Sequence, residues 1–350
     1  MTMKILILGA SYGSLLSTKL IMAGHDVTLI CRQQTADLIN REGTVVRLKL
    51  RDEAEPRLLK SSDFPGRVTA ATPDQVRPED YDLVALAMQE PQYGEPSVKA
   101  LMGRIALSKR PCLSIMNMPP LPYLRRIPAL AGADLNSCYA DASVWSAFEP
   151  GLMSLCSPDP QAFRPAEESA NFLHVGLPTN FKAAEFEDED HNRILRQLAA
   201  DIADVRLSGQ DVPVKLRVYE SLFVPMAKWS MLLTGNYRCV TRGEGRAIRD
   251  AVHGDVQQSQ AIYAWVDQLA RNLGADSADQ VPFDKYANAA QSLLKPSSAA
   301  RAIYSGSTQI ERVDKLVQLV AASLNMSHTA VDETVSIVDG KLAENSRLAA

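Results

Sequence analysis

The chain has 350 residues, enough for two domains that each bury a core. Apolar residues make up 46% and charged residues 22%, a globular composition, and no apolar run approaches the roughly 18 residues that cross a bilayer. The net charge of −4 excludes a general electrostatic attraction to nucleic acid or to an anionic membrane.

The N-terminus runs directly into "MTMKILILGA", without the longer apolar stretch and small-residue cleavage site of a secretory signal. Cys31, Cys112, Cys138, Cys156 and Cys239 are scattered, odd in number and form no C-x-x-C. That usage fits a reducing cytosol, so a cytoplasmic location is expected. His25, His174, His191, His253 and His328 are dispersed without metal-ligand spacing, and no metal site is expected.

"KILIL" (4–8) is a short apolar run that suits a strand covered on both faces. A glycine turn follows. Leu16, Leu20 and Ala23 then mark one face of a helix, and Gly24 sits where a helix C-terminus belongs. "DVTLICR" (26–32) is a second strand, completing a strand–turn–helix–strand unit of mononucleotide-binding size. "YDLVALAM" (81–88) and "PCLSIMNM" (111–118) are further buried strands whose ends line the carboxyl edge of an open α/β sheet.

From 138 to 212 the pattern is mixed. "SLCSPDPQAFRPAEE" is loop-like, "FEDEDHNRILRQLAADIADV" is an acidic turn leading into a helix, and "VRLSGQDV" is expected to be a last edge strand. From 213 the periodicity is helical, with Pro225 a kink or boundary and long stretches at 250–274, 284–294, 309–324 and from Thr329. The expected architecture is a doubly wound Rossmann-type domain over 1–212 and an all-helical domain over 213–350.

The glycine turn departs from the dinucleotide spacing G-x-G-x-x-G. Gly9 lets the chain leave the strand tightly, Ser11 replaces the second glycine, and Gly13 arrives one position early. The stretch Gly9, Ala10, Ser11, Tyr12 and Gly13 is still a candidate phosphate loop, with the Ser11 hydroxyl or the Tyr12 amide as donor. The alternative is a plain strand–helix turn. At the end of the second strand, where an NAD site has an acidic residue, stand Cys31 and Arg32. An arginine there suits the 2′-phosphate of NADP.

Several stretches together resemble the ketopantoate reductase (2-dehydropantoate 2-reductase) family: "ILGASYGSLLSTKLIMAGHDVTLICRQQTADLINREGTVV", "YDLVALAMQEPQ", "SIMNM", "AKWSMLLTGN" and "TQIERVDKLVQLVAASLNMSHTAVDETVSIV". The similarity touches both expected domains and is loosest over about 150–210. It implies NADPH across the Rossmann edge and a helical C-terminal domain of the 6-phosphogluconate-dehydrogenase C-terminal type. It also implies a junction lysine that protonates or polarises the substrate carbonyl. That lysine falls on Lys228, or in another register on Ser221. Asn117 and Asn236 match family asparagines, and Ser297 or Ser298 the family serine. Met88 and Gln89 end the third strand near the implied cofactor, and Gln92 is retained.

The departures from the family pattern are Gln89 for a lysine, Leu232 for an asparagine, Gln309 for a glutamate, and Arg301 for an acidic residue, with Glu311 at the acidic position after Gln309. Gln309 cannot hold a charge or carry a proton. Leu232 adds apolar surface, and Arg301 adds a cation able to fork a carboxylate. The set suits a substrate larger and more apolar than ketopantoate, aromatic ones included. Trp145, Trp229, Trp265, Tyr93, Tyr139 and Tyr237 are candidate pocket aromatics, although such residues more often belong to a core. A lysine in an apolar junction can have its pKa lowered toward neutrality, which favours Lys228 as the acid. The leading expectation is an NADPH-dependent reductase of a 2-oxo acid or ketone, working as a homodimer on a small molecule. The alternatives are a non-redox lyase or isomerase using Lys228 and Glu311, and a non-catalytic nucleotide-binding protein.

Overall fold

"KILIL" forms strand β1 (Lys4–Leu8), and Ile5, Leu6, Ile7 and Leu8 are fully buried, as a strand with both faces covered requires. The structure is a computed structural model that describes residues 2–51 and 53–349. The remaining strands are β2 (Asp26–Ile30), β3 (Val45–Leu48), β4 (Arg57–Lys60), β5 (Val68–Ala71), β6 (Leu83–Leu86), β7 (Cys112–Ile115), β8 (Met153–Ser157), β9 (Gln161–Phe163), β10 (Phe172–Leu177), β11 (Phe181–Ala184), β12 (Arg206–Leu207), β13 (Gln210–Asp211) and β14 (Leu216–Tyr219).

Eight of them make one sheet in the order β14-β11-β8-β7-β6-β1-β2-β5. From β5 to β8 every pairing is parallel. This six-strand run is the doubly wound order 3-2-1-4-5-6 of dinucleotide-binding folds. β11 then pairs antiparallel with β8, and β14 parallel with β11. A smaller sheet, β4-β3-β10-β9, stands apart.

The chain divides into two compact units. The first holds Met1–Met88, Gln92–Tyr123 and Ser143–Glu220, and the second Gln89–Pro91, Leu124–Ala142 and Ser221–Ala350. Along the first 220 residues the helices are α1 (Gly13–Met22), α2 (Gln33–Glu42), α3 (Pro96–Ser108), α4 (Leu121–Leu124) and α5 (Glu189–Asp204). Every residue of α1 is buried, because it packs on β1 and β2 and also on β3 and α5. The second unit contains α6 (Lys228–Met231), α7 (Ile248–His253), α8 (Val256–Asn272), α9 (Phe283–Ala290), α10 (Ser298–Tyr304), α11 (Val313–Ser323) and α12 (Thr329–Ala349). No helix among the described residues is long and apolar enough to cross a membrane.

Three expectations are corrected. "SLCSP" is not loop but β8, a fully buried strand of the main sheet that Pro158 and Pro160 bring to an end. "VRLSGQDV" is not the sheet edge. It is the hairpin β12–β13, turned by Ser208 and Gly209 with φ of 53° and 79°. The edge is β14, in the stretch read as the start of a helical run. Its outer pairing is one-sided, so its apolar pattern is too sparse to separate a strand from a helix.

Candidate functional site

The strand order reverses at β1. β2 and β5 lie on one side of it and β6 to β8 on the other, so the carboxyl ends of β1, β2 and β6 border a topological switch point, where open α/β sheets bind ligands. Gly9 follows β1 with φ of +106°, a conformation that disfavours other residues. A Cβ there would lie 2.7 Å from the Ala87 carbonyl oxygen and 2.8 Å from Met88 Cγ. A Cβ at Gly13 would lie 2.7 Å from Ile7 Cγ2, so this glycine lets α1 seat closely on β1. Gly9 and Gly13 thus fill the first and third roles of the dinucleotide fingerprint, the tight turn and the close helix–strand packing. Ser11 holds the middle place and is exposed.

Two further bonds stiffen the loop. Ser14 Oγ donates to the Ala10 carbonyl. Tyr12 Oη donates to the Pro160 carbonyl at 2.7 Å, and its ring meets Phe181 edge-on at 6.2 Å. Burial, followed by Cys156 and Asp159, holds the Tyr12 phenol well above its usual range, so the hydroxyl stays protonated. The Tyr12 side chain is therefore a brace, and what the loop can offer an anion is the Ser11 hydroxyl and the Tyr12 and Gly13 amides, since the Ser14 and Leu15 amides donate to the Ser11 and Tyr12 carbonyls. Arg32 occupies the N-cap position of α2, two residues after β2, without a side-chain capping bond. It is exposed and makes no side-chain bond among the described residues. Cys31 beside it is half-buried, and burial raises its thiol to about 11.

At the neighbouring strand ends, the Met88 amide donates to Tyr93 Oη at 3.1 Å. Asn117 is half-buried two residues beyond β7, and Gln92 is exposed. Tyr93 and Trp145 are fully buried and meet edge-on at 5.4 Å. Trp229, Tyr139 and Tyr237 are buried too, so these aromatics are core residues rather than an open pocket wall. Trp265 is half-buried against His328.

In the second unit, Pro225 opens a 3₁₀ turn (Val224–Ala227) that leads into α6, then a π-helical turn (Leu232–Asn236) and a last 3₁₀ turn (Tyr237–Cys239). Such π turns recur at functional sites. The π turn takes up one extra residue, so residues eight apart across it fall where residues seven apart fall on a regular helix, within about 20°. That brings Lys228 and Asn236 to one face. Both are half-buried, whereas Trp229, Ser230, Leu232, Leu233, Thr234, Gly235 and Tyr237 are buried. Gly235 admits the Tyr286 hydroxyl, which donates to the Met231 carbonyl at 3.1 Å, and a Cβ there would lie 2.0 Å from that oxygen.

Ser297 serves the backbone. It is 2% exposed, caps α10 by accepting from the Ala300 amide, and donates to the Asn236 carbonyl at 2.7 Å. Ser298 is the first residue of α10. Ser221 Oγ donates to Asp279 at 2.8 Å in a turn. Arg301 is exposed and bonds the Pro296 carbonyl. Gln309 and Gln89 are exposed, and Glu311 is half-buried. The Glu311 carbonyl accepts from Tyr237 Oη at 2.5 Å, and its carboxylate accepts from the Glu90 amide at 3.4 Å.

Glu90 is the residue that sequence reasoning missed. It is 2% exposed, and both carboxylate oxygens lie 3.2 Å from the Ala140 amide. Burial raises its pKa to about 7, with Glu311 and Asp141 pushing the same way and the Ala140 bond opposing. Its position in "QEPQ" gives no sign of burial. Only its place four residues after the buried strand β6 marks it.

The fold is that of the ketopantoate reductases: a parallel Rossmann-like sheet with a helical C-terminal region. A Ralstonia solanacearum protein assigned to the ketopantoate reductases superposes with a TM-score of 0.68 at 15% identity, over 99% of each chain. D-mandelate dehydrogenase in its ternary structure with NADH and anilino(oxo)acetate gives 0.64 at 14%, over 98% of this chain and 99% of that one. A dimeric ketopantoate reductase from Staphylococcus aureus gives 0.62 at 11%, over 98% and 99%. No protein-family model matches the chain, and no curated protein matches it in sequence.

Proposed function

We propose that this protein is an NADPH-dependent reductase of a 2-oxo acid or ketone larger and more apolar than ketopantoate. The observation that carries the reading is the switch-point edge, where Gly9 and Gly13 keep the close approaches a dinucleotide turn needs and Arg32 stands exposed after β2. Ala10, Ser11, Tyr12 and Gly13 would hold the pyrophosphate through backbone amides and the Ser11 hydroxyl, with Gly9, whose amide donates to the Ile30 carbonyl, making the tight turn. Arg32 would fork the 2′-phosphate, and Met88 would line the edge beside them. Bound NADPH would supply the hydride.

Lys228 donates the proton to the carbonyl oxygen of the substrate, and Asn236 on the same helix face orients it, with Asn117 a further hydrogen-bonding partner. Gln309 can hydrogen-bond but cannot replace that acid. Leu232, one turn after Lys228, is a buried core residue, and the larger substrate is supported instead by the anilino(oxo)acetate held by D-mandelate dehydrogenase. Ser297 positions Asn236 through its carbonyl. A cytoplasmic homodimer is part of the same proposal, supported by the Staphylococcus aureus relative's being dimeric.

The test is NADPH oxidation with a panel of aliphatic and aryl 2-oxo acids and ketones. Lys228→Ala lowers turnover by about a hundred- to ten-thousand-fold while leaving NADPH binding intact. Wild-type-like turnover in that variant contradicts the assignment. NADPH binding without hydride transfer to any of the panel would point to the non-redox chemistry instead.

A further inference from the structure

The helical run that carries Lys228 ends in a cation the proposed reaction does not use. Arg238 is 7% exposed and reaches toward α8. Its Nη1 donates to the Thr234 carbonyl at 3.1 Å and to Ser259 Oγ at 2.8 Å, and its Nη2 donates to Gln258 Oε1 at 2.5 Å. These three bonds use three of a guanidinium's five donors, and all three acceptors are neutral. Among the described residues no carboxylate lies within 4.0 Å of it.

Arg246 stands beside it. Its Nε donates to the Arg238 carbonyl at 2.8 Å, and its own amide donates to the Cys239 carbonyl at 3.1 Å. Its two Nη groups make no bond among the described residues, and the residue is half-buried. The loop that brings it back is stiff. Tyr304 Oη accepts from the Thr241 amide at 3.0 Å and lies 3.1 Å from the carbonyls of Thr241 and Gly243. Gly245 sits so close to that ring that a Cβ would be 2.7 Å from Cε2.

Two guanidiniums held together with no carboxylate in contact repel each other in a medium that screens poorly. Burial first, and then Arg246, push the Arg238 guanidinium below its usual range. The nearby acids make their direct bonds to other groups. Asp255 acts on Arg238, but its Oδ1 caps α8 by accepting from the Gln258 amide at 2.9 Å. Asp250 pairs with Arg249 at 3.1 Å.

We propose that Arg238 and Arg246 form a binding site for a phosphate dianion, free or carried by a small phosphate monoester, separate from the hydride-transfer chemistry. A dianion neutralises both cations, and its several oxygens match two planar forks better than a single carboxylate does. Arg238 is the buried member, already fixed in place by its neutral acceptors. Arg246 is the half-exposed member with donors to spare.

The test is thermal unfolding of the full chain in rising inorganic phosphate, and separately in phenyl phosphate, each against sodium chloride of equal ionic strength. The site gives a saturable rise in Tm, about 2 °C at ten times Kd. The rise survives in Arg32→Gln, which removes the cofactor-side cation. It is weakened in Arg246→Lys, which keeps the charge and loses the fork, and it is absent in Arg246→Gln. A response to phosphate alone identifies the free ion, and a response to phenyl phosphate alone identifies an ester. Either supports the site. A rise no larger than that of chloride, or an equal rise in Arg246→Gln, overturns it.

Discussion

Lys19 shows how far a single residue can depart from what its type suggests. It lies fully buried on α1, with Nζ donating to the Pro213 carbonyl at 3.0 Å. Burial, and then Lys215, lower its pKa to about 7, while Asp211 opposes them. Folding therefore releases a proton from Lys19 between about pH 7 and 10.5, so stability rises with pH across that window and the full penalty is present below it. Lys19→Met is expected to raise stability at pH 7 by about 1–4 kcal/mol and to flatten the alkaline rise, as read from Tm against pH. Glu90 has the opposite sign. Its pKa is raised to about 7, so its contribution is full below pH 4.5 and is lost as pH climbs through 7. Glu90→Gln keeps a neutral acceptor for the Ala140 amide, so the fall that Glu90 imposes on Tm between about pH 4.5 and 7 should disappear and the slope of Tm against pH there should become more positive. An unchanged slope would mean that the carboxylate is not the titrating group. Neither residue could be singled out in the sequence. A buried charge is defined by packing from distant segments (Pro213 for Lys19, Ala140 for Glu90), and no local pattern records it.

At the level of elements, the π turn Leu232–Asn236 is the device that brings Lys228 and Asn236 to one face, and it depends on Gly235. Gly235→Ala places a methyl group against the Tyr286 hydroxyl and should cost about 1–3 kcal/mol. Tyr286→Phe alone removes the bond to the Met231 carbonyl and costs about 1 kcal/mol. The double variant relieves most of the clash, so the two effects are strongly non-additive in urea unfolding. Additive losses would place the strain elsewhere. The sequence reveals the helical character of this stretch and its Pro225 boundary, but not the π turn, because periodicity counts apolar positions and not hydrogen-bond register. β1, β6 and β7 are legible because both of their faces are buried and their runs are nearly all apolar, and β2 because its buried Val27 and Leu29 alternate with Asp26 and Thr28. β8 is equally buried, but the prolines just after it mask it. β14 at the edge has no such run.

For the whole molecule, the sheet order is what converts a weak glycine motif into an argument. "GASYG" alone fits a plain turn. Placed at the reversal between β1 and β6, with Gly9 against Ala87 and Gly13 against Ile7, it occupies the edge where such sheets take ligands. The fold and this edge were legible from the first 32 residues and the later strands. The roles of Ser297 and of the aromatic residues were not, since hydroxyl capping and burial are decided by tertiary contacts. The most direct measurement is the affinity of the purified full chain for NADPH and for NADH, in the wild type and in Arg32→Gln. Micromolar NADPH binding is predicted, with NADH at least about tenfold weaker, and the preference should collapse in Arg32→Gln because one charge-assisted fork to the 2′-phosphate, worth about 1.5–3 kcal/mol, is lost. Absence of binding at millimolar NADPH would contradict the account.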